Sequence, residues 1–135
     1  MDIRKSRIEK KAVAAIIETV TNSDHFDPII NMDDKIPLFD GQIDVYEDSS
    51  ANKASRKGSI PIQVKGTSKV IKKENTTYQC ERIDLEKYLE SGGCLFLYVS
   101  IDLDSKYRAI FYSILLPLDL NAILKTHSKS NKTIS

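Results

Sequence analysis

The chain has 135 residues, which is enough for one domain with a buried core of ordinary size. Its net charge of +1 excludes a strong overall field that would attract nucleic acid, so any such contact needs a local basic patch. The sequence has no apolar run close to the roughly 18 residues of a membrane span, and its first residues lack the apolar centre of a signal peptide. We therefore expect a cytoplasmic protein that does not contact a membrane. Cys80 and Cys94 lack zinc-ligand spacing and are expected to be reduced and partly buried.

The first predicted element is a helix from Ser6 to Thr21, where apolar residues recur at helical spacing without Gly or Pro. At about 100° per residue, these apolar side chains occupy one half of the cylinder. Glu9 projects from the middle of that half, and Glu18 lies nearly opposite. We predict a solvated Glu18 and an inward-facing Glu9, which would need a partner, a metal or a water-filled site. The alternative for Glu9 is a glutamate near the helix start that favours the helix dipole.

A connector rich in Asn, Asp and Pro follows from Asn22 to Ile36. It is predicted to be irregular or to carry a short strand near Ile29 and Ile30. Asp33 and Asp34 are interpreted as turn residues rather than ligands, because aspartate is common in turns.

The segment from Ile36 to Thr67 has the pattern of a β-hairpin with a long polar loop. Apolar residues alternate with polar ones in both strands, so the polar side chains share one face of the sheet. These residues are Asp40, Gln42, Asp44, Gln63 and Lys65. Carboxylate and carbonyl oxygens suit a hard cation such as Mg²⁺, which can polarise a phosphate and lower the pKa of a bound water. A nearby lysine can hold that water and offset the charge that develops on phosphorus.

The loop from Glu47 to Ser59 carries Lys53, Arg56 and Lys57, and Lys69 follows the second strand. Together these residues form a candidate contact for a nucleic-acid backbone. The alternative is a solvated loop, because basic residues at a loop tip usually face only water.

Four elements are predicted after the hairpin, from turn signals and apolar runs. They are a helix from Leu85 to Ser91 with Asp84 as N-cap and Gly92-Gly93 at its end, a strand of residues 94–101 buried on both faces, a strand from Tyr107 to Leu116, and a helix from Pro117 to Lys125. This order predicts an α/β or α+β fold, in which helices flank a central mixed sheet of about four strands. Residues 1–125 would form the domain, and residues 126–135 a polar tail or a linker to a further domain.

The sequence Asp-Gly-Gln-Ile-Asp at 40–44, followed by Gln-Val-Lys at 63–65, resembles the PD-(D/E)XK nuclease superfamily. The most similar members are small domains found at the N-terminus of bacterial anti-phage defence proteins. The resemblance extends from Ile8 to Leu124. It implies a restriction-endonuclease-like core, in which a first helix leads into a three-stranded meander, a crossover helix and further strands. Gln63 stands where the superfamily more often has Glu or Asp, so its carbonyl could bind a metal without contributing charge.

The resemblance implies an endonuclease, a hydrolase that cuts DNA with Mg²⁺ or Mn²⁺. The ligands would be Asp40 or Asp44, Gln63, the carbonyl of Val64, and Glu9, since the superfamily's first helix commonly supplies a glutamate. Lys65 would position or activate the water. The Pro-x-x-Asp-Gly lead-in favours Asp40, whereas pairing across the hairpin is expected to bring Asp44 nearer to Gln63; both are retained.

Two alternatives remain open. One is a structural face, in which Asp40 caps a turn and the hairpin's polar residues form cross-strand salt bridges. The other is a non-catalytic module that binds nucleic acid or a partner protein. The sequence leaves open whether DNA or RNA is the substrate, whether the protein is a homodimer, and whether a sensor or regulatory domain or partner controls it.

Overall fold

The fold is given by a computed structural model, which describes residues 3–30, 41–48, 53–127 and 133–134. Its helices are α1 (Ile3–Thr21), α2 (Arg82–Glu90) and α3 (Pro117–Thr126), and residues Lys53–Ser55 form a 3₁₀ turn. Its strands are β1 (Phe26–Ile30), β2 (Gly41–Tyr46), β3 (Arg56–Thr67), β4 (Cys80–Glu81), β5 (Cys94–Ile101), β6 (Arg108–Leu115) and β7 (Thr133–Ile134).

Five of the strands form one mixed sheet in the order β1-β2-β3-β5-β6. Neighbouring strands are antiparallel except for β3 and β5, which are parallel. The parallel pair requires a crossover connection, and α2 lies in that connection. The short strands β4 and β7 pair separately. The described residues therefore have an α+β fold, with three helices around a five-stranded sheet.

Helix α1 packs against one face of the sheet, which we call the α1 face. Its buried residues, Ala12, Val13, Ala15 and Ile16, join side chains of the central strands in one apolar cluster. The strand residues of this cluster are Ile43, Ile62, Val64, Leu97, Val99 and Ile101. Because side chains alternate along a strand, the intervening residues of β3 and β5 lie on the opposite face.

Helices α2 and α3 belong to that opposite face, which we call the α2/α3 face. A second apolar cluster joins Leu85 and Tyr88 of α2 and Leu120 of α3 to Cys94, Phe96 and Leu115 of the sheet. Helix α2 ends at two glycines with positive φ, Gly92 (88°) and Gly93 (102°). A side chain at Gly93 would also collide with the backbone oxygen of Leu115, so this turn requires glycine there.

Most predicted elements are confirmed within a few residues, including the hairpin, the doubly buried β5 and the glycine stop after α2. Within the described ranges the sheet has five strands rather than about four, because the first part of the connector forms β1. The prediction that Asp84 is an N-cap is wrong. Helix α2 begins at Arg82, and Asp84 lies in its first turn, where a carboxylate favours the helix dipole. Within the predicted tail, β7 pairs with β4.

The cysteine prediction is confirmed in its burial. Cys80 is half-buried and Cys94 is buried. Burial raises the pKa of both thiols, that of Cys94 to about 12, so both remain protonated at neutral pH. Of the helices in the described ranges, none is both long and apolar enough to cross a membrane.

Candidate functional site

Gln63 and Lys65 lie on the α2/α3 face of the central strand β3. Their neighbours Ile62 and Val64 point into the cluster under α1, and alternation directs Gln63 and Lys65 the other way. Gln63 is buried, with 6% exposure, and Lys65 is half-buried. In the parallel register Gln63 pairs with Phe96 and Lys65 pairs with Tyr98. The amide and the amine therefore stand beside an aromatic row of β5.

Asp44 also lies on the α2/α3 face and is a buried carboxylate, with 6% exposure. The side-chain amide of Gln42 donates to Asp44 Oδ1 at 2.8 Å, and Arg56 Nη2 lies 3.4 Å from the same oxygen. Burial is the largest influence on the pKa of Asp44 and raises it. Hydrogen bonds from Ser59 and Gln42, together with the charge and hydrogen bond of Arg56, outweigh burial and hold the pKa below its usual value. Asp44 is thus an ionised carboxylate with its own set of partners.

The register separates Asp44 from Gln63. Asp44 is opposite Ser59 on β3, whereas Gln63 lies four residues further along that strand. At about 3.3 Å per residue this offset is about 13 Å, too far for two side chains to share a cation with oxygen ligands at about 2.1 Å. The expectation that pairing brings Asp44 nearer to Gln63 is wrong. The last described pair before Gln63 is Gly41 with Ile62.

Glu9 is exposed, so the prediction that it faces the protein interior is wrong. Its angular position on α1 agrees with the apolar half of the helix, but the fully buried residues begin only at Ala12. One turn earlier the helix passes over Gly66, where an added Cβ would lie 3.1 Å from both Ile8 and Ala12. Helix α1 also packs on the sheet face opposite Gln63 and Lys65. The structure therefore does not bring Glu9 to them. Glu18 is exposed as predicted, and Arg108 Nη1 lies 2.8 Å from its Oε2.

Three predicted carboxylates, Asp33, Asp34 and Asp40, lie outside the described residues. The side chain of Val64 belongs to the α1-face cluster, so only its backbone carbonyl could bind a metal, and that role stays a prediction.

Two of the predicted nucleic-acid contacts are engaged with carboxylates. Arg56 pairs with Asp44, and Lys57 Nζ lies 3.5 Å from Glu47 Oε1, with both of the latter side chains largely exposed. Lys69 is exposed. The side chain of Lys53 is not among those described. The carboxylates therefore offset part of the positive charge that Arg56 and Lys57 could present to a phosphate. The exposed pair of Lys57 and Glu47 contributes little to the stability of the fold.

Sequence reasoning missed two features around these residues. The first is the set of polar partners around Asp44, which are Gln42, Ser59 and Arg56. The alternation of polar residues in both strands could have indicated this set. Burial raises the pKa of Cys80, the charge of Asp84 raises it further, and the charge of Lys65 opposes them. No sequence pattern predicts this second arrangement, since Cys80 follows Lys65 across an irregular segment.

Comparisons of the chain with protein-family models, curated proteins and solved structures found no match. Among the side chains that the structure describes, no three from His, Cys, Asp and Glu cluster as a metal site would require. A cation at Gln63 would therefore need oxygen ligands from amides, from the backbone or from carboxylates outside the described ranges.

Proposed function

We propose that this domain is a metal-dependent endonuclease that hydrolyses DNA phosphodiester bonds, as the effector module of a bacterial anti-phage defence system. The order of elements supports this proposal. Helix α1 leads into the meander β1-β2-β3, and α2 then crosses over to β5, which lies parallel to β3. This order agrees with the restriction-endonuclease-like core that the sequence resemblance implies.

The observation that carries the proposal is the placement of Gln63 and Lys65. They project from the central strand of the sheet to the same face, one buried and one half-buried. An amide and an amine stabilise a core less than apolar side chains of similar size do, even where the buried amide has a partner, as Gln63 does. A catalytic role supplies a reason for both residue types at this spacing.

The donor chemistry fits a hard divalent cation. The Gln63 side-chain oxygen, the Val64 carbonyl and an aspartate would supply oxygen ligands of the kind that Mg²⁺ and Mn²⁺ accept. When bound, the cation would polarise the phosphate and lower the pKa of a water. Lys65 would orient the attacking water and offset the charge that develops on phosphorus. Glu9, exposed and on the other face, has no part in this proposal.

The register favours Asp40 over Asp44 as the aspartate. Asp44 is about 13 Å along the ladder from Gln63 and is held by Gln42, Ser59 and Arg56. Asp40 directly precedes Gly41, whose partner Ile62 directly precedes Gln63. We therefore assign the metal to Asp40 and a structural role in the hairpin to Asp44.

The test is cleavage of plasmid DNA, single-stranded DNA and RNA in Mg²⁺ or Mn²⁺, with EDTA as the blank. Lys65→Ala is expected to reduce the cleavage rate by at least about 100-fold, which is the effect of losing one contact to the transition state. Lys87→Ala is the matched control, because Lys87 is an exposed lysine of α2 whose ion pair with Glu90 is at the surface. Asp40→Asn should abolish cleavage and Asp44→Asn should only reduce it. Equal cleavage by Lys65→Ala and Lys87→Ala, both folded, would refute the proposal.

A non-catalytic, nuclease-like binding module is the second candidate. It is favoured by the neutral Gln63, and the engagement of Arg56 and Lys57 with carboxylates favours a partner protein over nucleic acid as its ligand. Such a module would bind nucleic acid or a partner equally well with and without divalent cations. Neither the wild type nor any Lys65 variant would cleave DNA or RNA.

A further inference from the structure

A cavity of about 270 Å³ opens on the α2/α3 face, beside the row of Gln63 and Lys65. Its walls come from β5, β6, α2, α3 and the segment of residues 76–80. The aromatic members of the lining are Tyr78, Phe96, Tyr98, Phe111 and Tyr112. A space of this size is just below the range of drug-sized ligand sites, about 300–1,000 Å³, so it suits a single ring system.

The rings in this cavity form a preorganised aromatic cluster. The ring of Tyr78 lies 5.1 Å from that of Phe96 and 4.9 Å from that of Tyr98, tilted by 49° and 64°. The remaining lining side chains are aliphatic, hydroxyl-bearing or thiol, and none is charged. Burial raises the pKa of Tyr78, so its hydroxyl stays neutral and can donate a hydrogen bond. The chemistry therefore favours a flat, uncharged ring with polar atoms at its edge.

The cavity is one strand away from Lys65. Lys65 pairs with Tyr98 in the parallel ladder, and both side chains lie on the α2/α3 face, with strands about 4.8 Å apart. The charge of Lys65 also reaches Cys80 in the cavity wall. A phosphate held at Lys65 would thus be next to Tyr98 in the wall of an aromatic cavity. A nucleotide has this combination, with an anionic phosphate and a neutral ring one sugar apart.

We propose that the cavity binds one unpaired nucleobase of the strand whose phosphate lies at Lys65. This inference rests on the proposed function in taking nucleic acid as the ligand. Aromatic side chains bind bases of any sequence by stacking, because every base has a π-face. A base within a duplex cannot enter such a cavity without leaving its stack, which costs free energy. The substrate class is therefore single-stranded nucleic acid, or a duplex with a mismatched or frayed nucleotide.

The test measures base insertion apart from cleavage. A short DNA strand with one 2-aminopurine, whose fluorescence reports stacking, is titrated with the protein in Ca²⁺, which binds oxygen ligands with looser geometry than Mg²⁺. The wild type should alter the fluorescence of the single strand and bind the matching duplex more weakly. Tyr78→Leu should weaken single-strand binding about 10-fold, because Tyr78 holds the aromatic cluster together.

Two further variants keep the test independent of folding defects. Ser113→Leu places a larger side chain in the cavity from an exposed position of β6. It should therefore reduce the fluorescence change without removing an aromatic ring. Tyr46→Leu, at the far end of β2, is the matched control and should leave the change intact. Urea unfolding of all three verifies their stability.

The outcomes separate this inference from the proposed function. If the wild type cleaves DNA but Tyr78→Leu and Ser113→Leu bind the single strand as the wild type does, the cavity inference is overturned and the nuclease stands. If nothing is cleaved but both variants lose the fluorescence change, the cavity binds a base in a non-catalytic domain. If the wild type binds duplex and single strand equally with no fluorescence change, the inference fails.

Discussion

Helices cover both faces of the sheet, but the residues buried on the two faces differ. Under α1, the cluster around Ile62 and Val99 is entirely apolar. On the α2/α3 face the buried side chains include Asp44, Gln63 and Ser100. Each of these polar groups has a partner. For example, Ser100 donates to the backbone oxygen of Lys69 at 2.6 Å and accepts from the backbone N–H of Ile71.

This difference separates what stabilises the fold from what is available for chemistry. An apolar face needs only matching shapes, since its stability comes from area removed from water. Buried polar side chains must have every donor and acceptor paired, so they add less to the free energy of folding than apolar side chains do. A chemical role would explain why they are present. Substitutions of the apolar residues on the α1 face should therefore change stability alone, whereas those of the buried polar residues on the α2/α3 face should also change pH dependence, metal response or activity.

The largest effect on stability is expected at Ile62, which has 0% exposure under α1. Ile62→Ala should lower the free energy of unfolding by about 2–5 kcal/mol, because it leaves a cavity in the apolar cluster. Ile60, on the same face of the same strand, has 39% exposure and provides the control. Urea denaturation should show a much smaller loss for Ile60→Ala. Equal losses in the two variants would contradict the assignment of the core.

A smaller effect, with a pH signature, is expected at Asp44. Asp44→Asn removes the ion pair with Arg56 and should cost about 1–2 kcal/mol at pH 7. The folded-state pKa of Asp44 is lowered, so its contribution is present above the ordinary value of 3.8 and is lost as pH falls through the folded-state pKa.

Unfolding of the wild type and Asp44→Asn between pH 7 and pH 2 tests this prediction. The difference between them should shrink below pH 3.8. Taking the difference also cancels Glu18 and Asp102, whose pKa values are lowered as well. If the difference in free energy of unfolding between the wild type and Asp44→Asn stays constant to pH 2, the ionised form of Asp44 does not stabilise the fold and the prediction is wrong.

The smallest effect is expected at the ion pair of Glu18 and Arg108, which is exposed to solvent. Glu18→Gln should leave the unfolding midpoint in urea unchanged, because solvent and salt screen such pairs. A clear loss of stability would mean that the edge strand β6 depends on α1 through this contact.

Local signals predicted the elements but not the distances between them. The glycine pair after α2 and the apolar run of β5 define their elements within a few residues. The hairpin register does not follow from alternation, because offsets of two or four residues preserve the same faces. It depends on how β3 begins at Arg56 and on the bulge near Tyr46. Likewise, the helical wheel gave the direction of Glu9 around α1 but not its position along the axis relative to the sheet.

Thermal unfolding of Gln63→Glu with and without Mg²⁺ or Mn²⁺ tests whether a metal binds at Gln63 on β3. An uncompensated buried carboxylate is costly, so the metal-free variant should unfold at a lower temperature than the wild type. Divalent cations should raise the midpoint of this variant more than that of the wild type, since a ligand that binds only the folded state stabilises it. Gln79→Glu, at an exposed position, should show no such response. If Gln63→Glu responds to divalent cations no more than Gln79→Glu does, no metal binds at Gln63 and the proposed nuclease site is wrong.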